Sequence, residues 1–153
     1  MANSYTQIHI QCVFAVSRRE SLIKNPWKTD LFRYMTAIIQ NKGHKVLAIN
    51  GMTDHMHILF GMKPMQALAD LMRDVKTISA KWINSKGYLH GKFEWQEGYG
   101  AFSYEKSALP TVIAYIDNQE EHHRYRTFQE EYQDLLQEFA VSYDEKYLFH
   151  EPQ

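Results

Sequence analysis

The stretch Thr53-Asp54-His55-Met56-His57-Ile58-Leu59-Phe60 carries two imidazoles one residue apart, ahead of a run of strand-forming side chains. In an extended chain successive side chains point to opposite faces, so His55 and His57 share one face while Met56, Ile58 and Phe60 take the other. Their Cα atoms would stand about 6.7 Å apart, near enough for both rings to reach one metal ion. With eight histidines in the chain, the pair by itself is weak evidence and reads more readily as two partly exposed side chains that share nothing. Tyr115 and Gln119 supply what the pair lacks. They are four residues apart in a segment of helical pattern, hence one above the other on one helix face. Alone, either is a packing residue, and Tyr115 is one of ten tyrosines. Set beside the histidines, they complete a set of parts. Two imidazoles and the Gln119 amide oxygen hold a divalent cation with positions left open, a phosphodiester oxygen fills one of these, and the Tyr115 phenol attacks phosphorus. A free phenol ionises near pH 10, so a cation or a base must assist it. The mixed ligand set suits Mg²⁺ or Mn²⁺, although histidine pairs also accept Zn²⁺.

The elements that must position these groups follow from patterning. Residues 5–16 alternate, with Ile8, Ile10, Cys12, Phe14 and Val16 against Gln7, His9 and Gln11, as in a half-buried strand. After a charged loop, Asn25-Pro26 reads as an N-cap with proline at the first helical position. Leu31, Phe32, Met35, Ile38 and Ile39 then form one helical face that stops at Gly43. Residues 44–50 and 55–62 form a hairpin carrying both histidines, and Asp54 either sets its turn, the more economical reading, or orients a histidine. Pro64 opens a second helix with Leu68, Leu71, Met72, Val75, Ile78 and Trp82, ended by Gly87, and residues 93–104 read as a fourth strand bulged at Gly98 and Gly100. The order strand–helix–strand–strand–helix–strand predicts an α+β fold, a ferredoxin-like antiparallel sandwich whose two helices leave one sheet face open. A helix over about 108–124 carries the tyrosine. Thr127-Phe128-Gln129-Glu130 is a capping box for a last helix, and a tail with Tyr143, Tyr147, Leu148 and Phe149 has enough apolar surface to dock.

Length and ordinary composition, 44% hydrophobic and 23% charged, predict one domain over residues 1–153, with a core of about 5–104. Neither a signal peptide nor an apolar run of membrane-spanning length is visible, and the single cysteine, Cys12, excludes an internal disulfide, so a cytoplasmic protein is expected. A net charge of −1 argues against gripping nucleic acid by overall basicity and leaves only local patches for that purpose. The candidates are Arg18 and Arg19 after the first strand, Arg73, Lys76 and Lys81 on the second helix, and His122, His123, Arg124 and Arg126 near the tyrosine helix; Tyr99 offers a stacking face. For each cluster a solvated surface is the plainer reading, and His9 is more simply structural than a ligand.

Asp54-His55-Met56-His57 resembles the histidine–hydrophobe–histidine box of the HUH nucleases. The string Trp95-Gln96-Glu97-Gly98-Tyr99-Gly100-Ala101-Phe102-Ser103, followed by Tyr115-Ile116-Asp117-Asn118-Gln119 and His122-His123, is similar to one branch of them. That branch is the single-tyrosine transposases of minimal bacterial insertion sequences that move as single-stranded DNA, and the similarity runs from about Tyr5 to Phe149. The resemblance implies a ferredoxin-like fold and metal-dependent cleavage that leaves a 5′-phosphotyrosine and a free 3′-hydroxyl. It also implies hairpin-ended single-stranded DNA as partner, and a homodimer whose tyrosine helix completes the partner's site. By position it makes Tyr115 the nucleophile and His55, His57 and Gln119 the ligands of Mg²⁺ or Mn²⁺. Two other readings use the same residues differently: a replication initiator or relaxase-type nickase, which would carry extra domains, and a non-catalytic nucleic-acid-binding module, which gives Tyr115 and Gln119 no role.

Overall fold

The structure, a computed structural model, describes residues 4–143. Four strands, β1 (His9–Ala15), β2 (Lys45–Gly51), β3 (His55–Gly61) and β4 (Gly100–Ser103), form one sheet in the order β2-β3-β1-β4. All neighbours are antiparallel. With α1 (Asn25–Asn41) between β1 and β2 and α2 (Leu68–Lys86) between β3 and β4, this is the ferredoxin-like arrangement expected from the element order. Three further helices follow: α3 (Leu109–Asp117), α4 (Gln119–His122) and α5 (Phe128–Glu138).

The alternation of β3 decides what each sheet face does. Met56, Ile58 and Phe60 join Cys12 and Phe14 in a core closed by Leu31, Met35 and Ile39 of α1 and by Leu71, Met72 and Val75 of α2. Among the described residues, the opposite face, left open by α1 and α2, is covered by α3 and α5 in two separate apolar patches. Val112 and Ile116 of α3 pack on Ala48 and Leu59. Phe128, Leu135 and Leu136 of α5 pack on Val13, Ala15 and Phe102. The histidine pair points into the seam between these patches.

Several boundaries differ from the sequence expectation, each for a visible reason. The fourth strand is only four residues long, because the chain over 93–99 leaves the ladder after a single bridge between Trp95 and Val16. It re-enters at Gly100, opposite Val13. The Lys76 ammonium holds this bulge, donating to the carbonyls of Gln96 at 2.7 Å and Gly98 at 2.6 Å, and Gly98 takes φ +83°, which a side chain would strain. Pro64 precedes its helix by a turn, and Lys24 rather than Asn25 is the residue before α1, with no side-chain cap. The continuous helix expected over 108–124 is broken at Asn118. There the Asn50 amide donates to the carbonyls of Ile116 (2.9 Å) and Asp117 (3.2 Å), which tie the break to β2. The capping box is present as read: Thr127 Oγ1 accepts from the Glu130 amide at 3.2 Å, and the Glu130 carboxylate accepts from the Thr127 amide at 3.3 Å. The tail residues Tyr147, Leu148 and Phe149 lie outside the described residues.

Cys12 sits in the α1–α2 core with no exposed surface, and burial pushes its thiol up to about 12. The fold therefore favours the neutral thiol, while in the unfolded chain it ionises near pH 8.5. Stability contributed by this group is complete below about pH 8.5 and declines as pH rises toward 12. Denaturation midpoints between pH 8 and 10 should fall more steeply for the wild type than for Cys12→Ala, and an aromatic disulfide reagent should label Cys12 only on unfolding. Rapid labelling of the native protein at pH 8 would contradict this placement.

Candidate active site

His55 opens β3 opposite Ala15, and His57 lies between Val13 of β1 and Asn50 of β2. Both rings are buried, with centroids 5.3 Å apart. Each has its Nδ1 held by an oxygen: His55 Nδ1 donates to Asp54 Oδ1 at 2.8 Å, and His57 Nδ1 donates to Gln11 Oε1 at 2.7 Å. Gln11 is fixed in turn by its donation to the Tyr104 hydroxyl at 2.7 Å. Pinning Nδ1 selects the tautomer that leaves Nε2 for a ligand, as in metal-binding histidines supported from behind. Asp54, besides lying at the turn, is thus the orienting partner of His55.

A carboxylate stands in front of the two Nε2 atoms. Glu131, from the first half of α5, places Oε1 at 2.9 Å from His57 Nε2, 3.5 Å from His55 Nε2 and 3.3 Å from His123 Nε2. Its Oε2 accepts from the Gln119 amide at 3.1 Å and from the Tyr115 hydroxyl. Gln119 Oε1 lies 3.2 Å from His55 Nε2. Tyr115 and Gln119 therefore come together as their spacing suggested, although they sit on α3 and α4, either side of the break. One chain supplies every one of these groups.

The electrostatics of the cluster are those of a place built for positive charge. Burial opposes the charged form of the Glu131 carboxyl, but contacts from His123, His55 and His57 outweigh it and hold the group far below the usual carboxylate range. His55 is raised in spite of burial, because Asp54 and Glu131 face its two nitrogens; His57 is lowered, its burial outweighing Glu131. Burial, and then the neighbouring Glu131, push the Tyr115 phenol well above its ordinary value.

Whether this set suits a metal can be judged from its donors. Ligand atoms of His55, His57 and Glu131 all lie within 4.8 Å of one another. Both nitrogens of each ring face oxygen acceptors, Asp54 and Gln119 for His55, Gln11 and Glu131 for His57. A neutral imidazole can donate from only one nitrogen, so the cluster calls for an imidazolium or for a cation among the Nε2 atoms and carboxyl oxygens. Two imidazoles, a carboxylate and an amide oxygen fit a divalent ion of the Mg²⁺, Mn²⁺ or Zn²⁺ kind.

The remaining residues singled out from sequence scatter. His123 joins the cluster through Glu131. Arg19 reaches its edge, 3.7 Å from Asp54 and 5.8 Å from the Phe128 ring centre. Arg18 and Arg19 both adopt left-handed backbone angles, φ 56° and 53°, but Arg18 lines a separate cleft with Lys92 and Glu94. Arg124 is exposed near the same edge, 3.6 Å from Glu121, and Arg126 pairs with Asp134 at 3.0 Å. His122 packs its ring 4.4 Å from that of Tyr115. Arg73 and Lys76 lie on α2, across the sheet: Arg73 pairs with Asp70 and Asp74, and Lys76 is taken up by the bulge carbonyls. Tyr99 sits half-buried in the bulge and leans on the α1–α2 core. Sequence reasoning missed Glu131 and Gln11. A signal existed for the first, since Phe128, Glu131 and Leu135 occupy one stripe of α5 and a carboxylate in an apolar stripe needs a partner.

The family described as "Transposase IS200 like" matches residues 4–119, well over half of the chain. The ISDra2 transposase TnpA of Deinococcus radiodurans is 23% identical over 118 residues, covering 74% of this chain and 84% of that protein. A crystal structure from Deinococcus radiodurans, of a protein described as a transposase, superposes with a TM-score of 0.61 at 19% identity, over 78% of this chain and 95% of the other. A REP-associated tyrosine transposase bound to a REP hairpin superposes with a TM-score of 0.59 at 13% identity, over 82% of this chain and 74% of the other. The two superpositions speak for the fold. The match over residues 4–119 decides the family: the chain belongs to the IS200-like transposases.

Proposed function

We propose that this transposase cleaves and rejoins single-stranded DNA at hairpin-bearing ends of an insertion sequence, through a covalent phosphotyrosine at Tyr115. The observation that supports this most is the convergence of one phenol, two imidazole Nε2 atoms and one carboxylate in a single buried seam. The hairpin is suggested by the structural relative that binds a REP hairpin.

In this reading His55, His57 and Glu131 hold a divalent cation, Mg²⁺ or Mn²⁺, with Gln119 Oε1 beside them. The cation supplies Lewis-acid polarisation of a phosphodiester oxygen and offsets the negative charge of Glu131 and phosphate together. The chain's own groups do the rest. Asp54 and Gln11 keep both rings turned so that Nε2 faces the seam. Glu131 Oε2 orients the Tyr115 hydroxyl through its hydrogen bond; as the phenol oxygen bonds to phosphorus and the P–O3′ bond breaks, the phenol proton passes to water and the 3′ oxygen takes a proton from water. Because the phosphoester energy is retained in the protein link, rejoining to another 3′-hydroxyl needs no nucleotide cofactor. The strand approaches over a cleft of about 390 Å³ beside the cluster, where Arg19, Arg124 and Arg126 offer charge to its phosphates.

A single strand copied from the DNA flanking the gene, labelled on the 3′ side of the cut, is the test substrate. Wild type with Mn²⁺ should give a labelled adduct on denaturing gels. EDTA or His57→Ala should remove it, and the DNA should still bind within about threefold. Undiminished adduct in EDTA would dismiss the metal. The absence of any adduct, with DNA bound, would favour a non-catalytic binding module.

A further inference from the structure

Arg126 is held by the backbone on both of its sides. Its amide donates to the His122 carbonyl at 3.1 Å, closing the turn after α4, and the next residue, Thr127, is the N-cap of α5. From there its side chain borders two clefts. One is the basic cleft beside the cluster, which Asp54 and His123 also line. The other, of about 220 Å³, is lined by Gln11, Tyr104, Tyr115 and Asp134 among others. Among the described residues the two clefts share Arg126 and nothing else. Asp54 and Gln11, the groups behind the two imidazoles, stand one in each. A strand that runs from the basic cleft to Tyr115 therefore meets this side chain.

An ion pair does not account for the guanidinium. Asp134, itself exposed, takes Nη2 at 3.0 Å, whereas Nε is buried and has no acceptor among the described residues. A buried donor left unpaired is costly, and the planar fork of an arginine matches the oxygens of a phosphate. The charge of Arg126 is also felt at the Tyr115 hydroxyl, against the burial and the Glu131 charge that keep the phenol neutral. The Tyr115 cleft is smaller than the roughly 300–1,000 Å³ typical of ligand sites, so it admits one phosphate linkage beside the phenol rather than a run of them. Resting on the strand-cleaving reading above, we infer that Arg126 is a further catalytic residue, whose guanidinium takes, through Nε, a non-bridging oxygen of the phosphodiester that Tyr115 attacks. Charge gathers on these oxygens as phosphorus is attacked, so the contact belongs to rate more than to affinity.

The test uses the full-length protein and the flanking-DNA strand with Mn²⁺. Arg126→Ala should form adduct about 100-fold more slowly at saturating strand, the scale on which one donor to a developing oxyanion acts, while binding weakens about fivefold or less. Arg126→Gln, which keeps most of the side chain's length, should behave alike and guards against a folding loss, with circular dichroism as the check. Asp134→Ala breaks the same exposed ion pair and should stay within about threefold of the wild-type rate. A methylphosphonate, which removes one phosphate charge, is then placed at each linkage in turn and binding is measured. At the cut linkage it should weaken wild type about fivefold and Arg126→Ala less than about twofold, the non-additivity of two groups in contact. Three results overturn the inference: an Arg126→Ala that keeps its adduct rate, equal losses in Arg126→Ala and Asp134→Ala, or non-additivity at a linkage other than the one cut. Each of them leaves the nuclease reading standing. A wild type that binds the strand and forms no adduct retires both.

Discussion

Tyr115→Phe is expected to lose all protein–DNA adduct and to lower strand cleavage by several orders of magnitude, with DNA binding unchanged. The size follows from the step removed. A positioned nucleophile commonly carries that much of a rate, whereas the same hydroxyl acting only as a packing donor contributes about 1 kcal/mol of stability. Nine other tyrosines remain in the variant, and four of those the structure describes are engaged elsewhere or exposed. Tyr104 is occupied by Gln11, Tyr132 packs against Gly100, Tyr99 leans on the opposite core, and Tyr125 is largely exposed. Tyr115 alone among the described tyrosines donates to the carboxylate that faces both histidines. Denaturing gels with the labelled strand, followed by mass spectrometry of the linked peptide, check this. An adduct surviving in Tyr115→Phe, or mapped to another tyrosine, would end the assignment. The chain's own tyrosine reaches its own cluster in the structure, so mixing Tyr115→Phe with His57→Ala is informative too: recovery of adduct on mixing would reveal that one chain's tyrosine serves another chain's histidines.

The fold was legible because β-strand alternation and helical spacing are local signals, and the hairpin of β2 and β3 carries both in one short stretch. His55 and His57 could be read as sharing a face for the same reason: the period of a strand is fixed by covalent geometry. Tyr115 and Gln119 were readable as neighbours by spacing, even though the helix between them breaks, because a single residue at Asn118 shifts their relation only slightly. What could not be read was register and docking. That Gln11 would sit behind His57 depends on the pairing of β1 with β3, and the break depends on Asn50 reaching across from β2. The surface candidates failed to gather for a related reason. Helical periodicity tells which face of α2 is polar, but not that α2 packs on the far side of the sheet, so Arg73 and Lys76 looked as eligible as Arg19.

Glu131 is the residue on which the site's design turns, and its removal is expected to act on both folding and chemistry. Glu131→Ala leaves Tyr115, Gln119 and the histidine Nε2 atoms without their shared acceptor in a seam where Glu131 itself is only 1% exposed. Breaking a buried charged network from one side typically costs about 3–5 kcal/mol, and denaturant unfolding without metal should show a loss of that order. The second effect is on the cation. With two imidazoles and one amide oxygen remaining, Mn²⁺ affinity measured by calorimetry should fall by at least the roughly 10–100-fold that even an indirect supporting partner commands. The adduct should fall with it, because the phenol has also lost the group that orients its hydroxyl. Glu131→Gln separates the two contributions: it keeps an oxygen for Tyr115 and a similar shape, so it should recover much of the stability and little of the Mn²⁺ affinity. The opposite outcome is equally readable. A folded Glu131→Ala that binds Mn²⁺ normally and forms adduct faster than wild type would mean that the carboxylate occupies the phosphate's place, that the cation rests on His55, His57 and Gln119, and that α5 must withdraw before the strand is cut.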